Sequence, residues 1–170
     1  MSEPAVVSPS QTIGPLYGYA LMFDGCECAV EPDDPRAVRV EGLVLDGAGQ
    51  PVAYPESMVE VWQGEQWARG RADEHGRFHV LVRKPEATPL PDGTPQAPHL
   101  ELAVFARGLL RAARTRIYFP DEAEANEADP VLARVPEASR GTLIAVPAAD
   151  GALRFDVRLQ GEGETAFFEL

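Results

Sequence analysis

The sequence predicts an all-β protein, namely a mainly antiparallel β-sandwich with long loops and a short helical segment near residues 121–135. Two observations predict this fold class. Segment 97–108 alternates in polarity along its length, and Pro98 stands at its start, where a strand tolerates a missing N–H. Similar short strand patterns recur about every eight to twelve residues with turn residues between them, which is typical of a sandwich or barrel.

The two faces of segment 97–108 differ in chemistry. Side chains of a strand point alternately to opposite sides of the sheet, so each face can be read separately. The face predicted to be core consists of Leu100, Leu102, Val104 and Ala106. The mixed face consists of His99, Glu101, Ala103, Phe105 and Arg107. Such a mixed face is typical either of a solvated surface or of a functional site.

The other elements follow in order along the chain. Segment 8–19 contains two prolines and two glycines, which predicts a defined loop without a helix. Residues 1–35 are predicted to form an N-terminal arm and loop, and residues 1–170 a single domain. Further strands are predicted at 38–45, 58–63, 77–82, 109–119, 142–146, 154–159 and 165–168. Asp121 can cap the helical segment, and Asp129 precedes a proline at a second helix start.

Composition excludes several classes of function. The net charge of −12 argues against binding of nucleic acid, which needs a basic surface. No apolar run is long enough to cross a membrane, and the first residues lack the pattern of a signal peptide. The two cysteines, Cys26 and Cys28, are one residue apart and are expected to be free thiols. A cytoplasmic location is therefore expected.

Residue spacing alone reveals no catalytic centre. The three histidines, His75, His79 and His99, lack the tight spacing of a self-contained metal site, and we find no phosphate loop or nucleophile elbow. Arg107 would by default be an ordinary surface or ion-pair arginine. A non-catalytic β-sandwich binding or scaffold module is thus one hypothesis that the pattern supports.

Eight short segments together resemble one known family, in the family's order along the chain. These are Ser8–Pro15, Glu60–Gln63, Ala97–His99, Phe105–Gly108, Thr115–Phe119, Asp129–Leu132, Thr142–Ala145 and Gln160–Thr165. They look like the alpha-chain family of the protocatechuate 3,4-dioxygenases, which are intradiol ring-cleavage dioxygenases. The resemblance implies a β-sandwich and a subunit that helps to insert O2 between the two hydroxyl-bearing carbons of protocatechuate, giving 3-carboxy-cis,cis-muconate in the beta-ketoadipate pathway.

The resemblance also implies a partner and a cofactor. In this family a homologous beta chain holds a non-haem Fe(III) through two tyrosines and two histidines, and alpha–beta units assemble into a larger hetero-oligomer. At the matching positions this chain has Trp67, the loop near Thr88–Pro89, His99 and Glu101. Phenolate and imidazole suit ferric iron, whereas an indole N–H can only donate. Fe(III) is therefore expected in the partner and not in this chain, with His99 in a hydrogen-bonded interior position.

The site residues that the resemblance assigns to this chain lie in two places. Arg107 is expected to be catalytic, since a guanidinium suits an anionic substrate or intermediate. Substrate-binding residues are expected in the N-terminal loop, namely Thr12, Gly14, Pro15 and Tyr17. Leu16 stands where the family usually has a tyrosine, and whether Tyr17 supplies that hydroxyl is left open. A catechol- or hydroxyquinol-type dioxygenase acting alone is a third hypothesis, against which the missing tyrosines argue.

Overall fold

Two β-sheets packed face to face make up the protein. The structure is a computed structural model that describes Gly14 and residues 17–169. Its strands are β1 (Ala37–Leu45), β2 (Ser57–Gln63), β3 (Gln66–Arg71), β4 (Arg77–Arg83), β5 (His99–Ala106), β6 (Ala113–Tyr118), β7 (Val146–Pro147), β8 (Leu153–Arg154) and β9 (Val157–Arg158). Its helices are α1 (Tyr17–Ala20), α2 (Ala123–Ala128) and α3 (Glu137–Arg140), with 3₁₀ turns at Leu132–Arg134 and Gly141–Leu143.

The first sheet is mixed and the second is antiparallel throughout. In the first, the strand order is β4-β1-β8-β7, and β9 also pairs with β1. The pairings of β1 with β8 and β9 are parallel, whereas its pairing with β4 is antiparallel. The second sheet has the order β3-β2-β5-β6, with β5 in its interior. The predicted all-β, mainly antiparallel sandwich is confirmed.

The main core lies between the two sheets and is built by the alternation of the strands. The inner face of β5 contributes the residues predicted from the sequence, and Leu100, Leu102 and Val104 are fully buried there. They pack with residues of both sheets, including Val40, Val44, Val59, Val61, Phe78, Val80, Val82 and Ile117. Burial of these aliphatic and aromatic side chains is the main stabilising term of the fold.

A second, smaller apolar cluster covers part of the outer face of the second sheet. Segment 119–145 and residue 97 pack there against Tyr118 of β6, and the cluster consists of Ala97, Tyr118, Leu132, Val135 and Leu143. The start of β5 is therefore buried on both faces, whereas its end is not. This asymmetry positions the candidate site.

The helical region lies where the sequence predicts it, but its second part is only a 3₁₀ turn. Within segment 121–135, with its second start at Asp129, helix α2 covers Ala123–Ala128 and a 3₁₀ turn follows at Leu132–Arg134. The Asp129 side chain accepts hydrogen bonds from the N–H groups of Val131 and Leu132, so its predicted capping role is confirmed. Asp121 does not cap a helix, because its carboxylate pairs with Lys84.

Four further sequence predictions were wrong in detail. Segment 8–19 was expected to lack a helix, but α1 begins at Tyr17, because both prolines precede this single turn and the glycine inside it, Gly18, does not prevent one turn. Segment 109–119 becomes a strand only from Ala113. Segment 142–146 begins as a 3₁₀ turn, and 165–168 forms no strand. Strand β3 was not predicted at all.

Among the residues that the structure describes, no helix combines the length and the apolar character needed to span a membrane.

Candidate functional site

Strand β5 carries the candidate residues at its two ends, on the outer face of the second sheet. His99 is its first residue, and Arg107 directly follows its last. At about 3.3 Å per residue, eight positions place the two side chains roughly 26 Å apart. They therefore belong to two separate clusters, which we call the closed end, around His99, and the open end, around Arg107.

The closed end brings together the four positions at which the family resemblance implies metal ligands. Cross-strand pairing places Trp67 opposite Trp62 and Trp62 opposite Glu101. The Thr88 loop joins this group because the side chain of Gln96 donates to the Thr88 carbonyl oxygen at 3.1 Å. Sequence positions far apart thus form one cluster. It also contains Gln96 and Arg116, which sequence reasoning did not single out, and Asp129, which it named only as a helix cap.

Within the closed end His99 is 2% exposed and hydrogen-bonded. Its Nδ1 lies 2.8 Å from the Ala97 carbonyl oxygen, which can only accept, so Nδ1–H donates. Its Nε2 lies 3.4 Å from Glu101 Oε1, and its ring stands 5.6 Å from that of Tyr118. The predicted hydrogen-bonded interior position of His99 is confirmed.

Arg116 supplies the positive charge of the closed end. Its Nη2 lies 2.9 Å from Glu101 Oε1, and its Nη1 donates to Gln96 Oε1 at 2.8 Å. Burial alone would raise the pKa of Glu101, but the hydrogen bond from His99 and the charge of Arg116 outweigh burial and lower that pKa. The Glu101 carboxylate is thus held ionised by protein groups.

The residues of the closed end do not fit a ferric ion. Nδ1 of His99 already donates a hydrogen bond to a backbone carbonyl oxygen. The Arg116 guanidinium binds the Glu101 carboxylate, which would have to turn away from it to bind a metal. Trp67 presents only an indole N–H, which has no hydrogen-bond partner among the described residues and cannot ligate. Across Gly14 and residues 17–169, no three His, Cys, Asp or Glu side chains lie close enough together to hold a metal ion.

Buried Asp129 completes the closed end. It is 1% exposed, and its Oδ2 accepts the N–H of Ala97 at 2.8 Å. Its Oδ1 accepts the Tyr118 hydroxyl at 3.1 Å as well as the two N–H groups that it caps. The carboxylate therefore fixes the entry to β5 and the helical segment to the same point of the sheet.

The open end is organised around Arg107. Its Nη1 lies 2.7 Å from Oε1 of Glu56, and its backbone N–H donates to the Glu56 carbonyl oxygen at 2.8 Å. The side chain of Arg107 is 73% exposed. Gly108 follows with φ +92°, a conformation that favours glycine, and turns the chain away from the strand.

The N-terminal segment approaches the same end of the sheet. Tyr17 is 5% exposed, and among the described residues its hydroxyl has no hydrogen-bond partner. Burial raises the pKa of Tyr17, and its neighbours Tyr54 and Glu56 add to the rise. Tyr17 thus lies near enough to Glu56, the partner of Arg107, to feel its charge.

Other residues of the N-terminal loop were predicted to bind substrate. Gly14 is exposed, and a Cβ added there would meet no described atom within 4 Å. Thr12, Pro15 and the neighbouring Leu16 lie outside the described residues.

Arg69 fixes the N-terminal segment to the sheet between the two ends. Its Nε and Nη2 both contact Glu60 Oε1, at 2.8 and 2.6 Å, and its Nη1 donates to the Leu21 carbonyl oxygen. The guanidinium also lies 4.8 Å above the ring of Trp67, which stacks on Phe23. The segment after α1 is thereby bound to β2 and β3.

Comparison with known proteins identifies relatives along nearly the whole chain. The protocatechuate 3,4-dioxygenase alpha chain of Burkholderia cepacia is 35% identical over 198 aligned residues, covering 96% of this chain and 97% of the relative. The alpha chain of the same name from Pseudomonas putida is 34% identical, covering 95% and 96%. No protein-family model matches the chain.

Solved structures agree with the fold. Catechol 1,2-dioxygenase from Acinetobacter sp. ADP1 superposes with a TM-score of 0.55 at 17% identity, over 81% of this chain and 58% of that structure. Hydroxyquinol 1,2-dioxygenase from Pseudomonas putida DLL-E4 gives a TM-score of 0.55 at 20% identity, over 75% and 57%. This chain spans less than two thirds of either protein, and the likeness extends to the sandwich alone.

Proposed function

Because the chain belongs to the family of protocatechuate 3,4-dioxygenase alpha chains, we propose that it is the alpha subunit of such an enzyme. In the proposed reaction both atoms of O2 enter between the two hydroxyl-bearing carbons of protocatechuate, giving 3-carboxy-cis,cis-muconate. The chain acts only in complex with a homologous beta chain, and alpha–beta units associate further into a hetero-oligomer. This reaction belongs to the catabolism of aromatic compounds through the beta-ketoadipate pathway.

The proposed division of labour assigns Fe(III) to the beta chain. The closed end supports this assignment, since its imidazole, carboxylate and guanidinium groups bind one another. No step of the proposed reaction uses a metal bound to this chain. What this chain contributes is the shape and charge of its open end.

Arg107 is the proposed catalytic residue, and one observation carries this role. Its guanidinium has a single carboxylate contact and remains 73% exposed, so most of its N–H donors can reach a ligand. Protocatechuate is a carboxylate and its cleavage passes through anionic species, which a fixed cation stabilises as charge develops. In a chain with a net charge of −12, such a local cation is needed to receive an anion.

The N-terminal loop forms the other wall of the proposed substrate site. Thr12, Gly14, Pro15 and Tyr17 are proposed to contact the ring. No described atom lies within 4 Å of a Cβ added at Gly14, which supports this role, because a flat aromatic ring can approach a backbone that bears no side chain. The Tyr17 hydroxyl would contact the ring in its neutral form, since burial raises the pKa of Tyr17.

The deciding experiment compares the chain alone with the chain co-expressed with its homologue. The partner is the product of a neighbouring reading frame that encodes a homologue with two tyrosines and two histidines. We expect the complex to contain iron and to consume about one O2 per protocatechuate cleaved. The chain alone is expected to bind no stoichiometric iron and to show no turnover.

Two results would overturn the proposal. One is tightly bound iron in the lone chain at about one ion per chain, with turnover of a catechol. The other is a stable complex with no ring cleavage, which would indicate a binding or scaffold module.

The cytoplasm is the proposed compartment. Cys26 and Cys28 are both free thiols, as expected in a reducing environment.

A further inference from the structure

Glu56 faces Arg107 across the ends of the two inner strands of the second sheet. The last ladder pair of β2 and β5 joins Ser57 to Ala106, and residues 56 and 107 are the next pair in the same register. The backbone N–H of Arg107 donates to the Glu56 carbonyl oxygen at 2.8 Å, and the two head groups meet at 2.7 Å. Glu56 therefore fixes both the backbone and the guanidinium of Arg107.

The contact orients the guanidinium without saturating it. Arginine has five N–H donors, and the Glu56 carboxylate contacts Arg107 through Nη1. Arg69 on the same sheet shows the opposite arrangement, because Nε and Nη2 both bind Glu60 and Nη1 binds a backbone carbonyl oxygen. Arg69 is accordingly only 16% exposed, against 73% for Arg107. The Glu56 pair is thus suited to positioning and the Glu60 pair to structure.

Glu56 also lies near the buried Tyr17. Its carboxylate is one of the groups that act on the buried Tyr17, together with Tyr54. The side chain is 37% exposed, so it sits at the boundary between this buried corner and the surface. One carboxylate therefore acts on both Arg107 and Tyr17, two residues of the proposed substrate site.

We propose that Glu56 is a positioning residue for ring cleavage, which holds the Arg107 guanidinium toward the substrate. This inference rests on the proposed function, since it needs Arg107 to act on the substrate. An ordinary surface ion pair would contribute to folding or assembly and would leave turnover unchanged. The two roles differ in what happens when both partners are replaced.

A double-mutant cycle on the assembled complex tests the inference. Glu56→Gln keeps the shape and removes the charge, and we expect it to lower kcat/KM about 5- to 20-fold, which corresponds to roughly 1–2 kcal/mol. In an Arg107→Ala background the same change is expected to alter kcat/KM less than about twofold, because no guanidinium remains to be positioned. Glu41→Gln is the matched control, because Glu41 also pairs with an arginine, Arg39, but on the other sheet. It should leave turnover unchanged.

Each outcome of the double-mutant cycle has a single interpretation. If Arg107→Ala leaves kcat/KM unchanged, the proposed function of Arg107 fails, and the role of Glu56 fails with it. If Arg107→Ala lowers kcat/KM but Glu56→Gln leaves it unchanged, only the positioning role is overturned. The same holds if Glu56→Gln lowers kcat/KM equally in the wild-type and the Arg107→Ala backgrounds. Sizing and iron content are measured on every variant. A Glu56→Gln complex that dissociates, with normal turnover in the assembled fraction, would make Glu56 an interface residue and overturn the inference.

Discussion

Polar side chains are bonded to one another at one end of β5, whereas at the other end they have few partners among the described residues. At the closed end the Glu101 carboxylate binds both His99 and Arg116, and the His99 ring is buried beside Tyr118. At the open end Arg107 has one carboxylate partner and is mostly exposed, while the Tyr17 hydroxyl has no partner among the described residues. The same strand thus supports a cluster that stabilises the fold at one end and a set of groups able to bind a ligand at the other.

The comparison shows that charged residues on one sheet face need not share a role. Satisfied polar networks in a low-dielectric environment are rigid, and they tolerate the loss of a member poorly. A guanidinium with free donors contributes little to folding but can contribute to recognition and to charge stabilisation. Changes at the closed end should therefore affect stability, and changes at the open end should affect turnover.

The largest effect on stability is expected from Asp129→Ala. This change leaves three backbone N–H groups and the Tyr118 hydroxyl without their acceptor, at a cost of about 3–5 kcal/mol. Thermal unfolding of the purified complex measures it. Asp150→Ala is the control, since that exposed carboxylate pairs with Arg39 and should contribute about 1 kcal/mol or less. Equal shifts for the two variants would show that the closed end is not the structural anchor described above.

The largest effect on catalysis is expected from Arg107→Ala. A hydrogen bond to a charged group contributes about 1.5–3 kcal/mol, so kcat/KM for protocatechuate should fall roughly 10- to 150-fold. Assembly and iron content should remain unchanged. Arg111→Ala, at an exposed arginine of the following turn, is the matched control and should have no effect. A decrease of less than about threefold for Arg107→Ala would remove it from the active site.

A smaller effect, confined to stability, is expected from His99→Gln. Loss of the ring contact with Tyr118 should lower the free energy of unfolding by about 1–2 kcal/mol. Iron content and kcat of the complex should match those of the wild type, because His99 binds protein groups. Parallel loss of iron and turnover would instead identify the closed end as a metal site.

The smallest effect is a pH dependence at Glu101. The folded chain lowers its pKa below the ordinary value of 4.5, so the stabilisation it gives is present above that value. It is lost as the pH falls through the lower pKa of the folded chain. The stability difference between wild type and Glu101→Gln should therefore narrow below about pH 4.5. Glu74→Gln, at an exposed carboxylate, should show no such narrowing.

Local pattern was sufficient to predict most strands but not their partners. Alternation identified the buried face of β5 because each side chain's direction depends only on its neighbours in the chain. The missed strand β3 had a local signal, since Gly64 and Glu65 form a two-residue connection between Gln63 and Gln66. The break in the helical segment at Asp129 also had a local signal in the following proline, whereas the bond from Asp129 to the distant Ala97 backbone had none.

The candidate site depended on contacts that no local pattern contains. Glu56 and Arg107 are brought together by the register of β2 and β5, and Arg116 reaches Glu101 through the register of β5 and β6. Family resemblance identified Arg107, Tyr17 and the positions of the closed end, because it compares whole chains. It did not identify Glu56, whose position becomes evident only once the strands are paired.

The parallel pairing of β1 with β8 and β9 has a consequence for biosynthesis. Strand β1 ends at Leu45, whereas its neighbours on one side begin only at Leu153, roughly a hundred residues later. At typical rates of translation, about 5–20 s pass while that edge of β1 lacks its final partners. The first sheet therefore closes only after β9 has left the ribosome, and a subunit that associates with the chain before then meets an incomplete sheet.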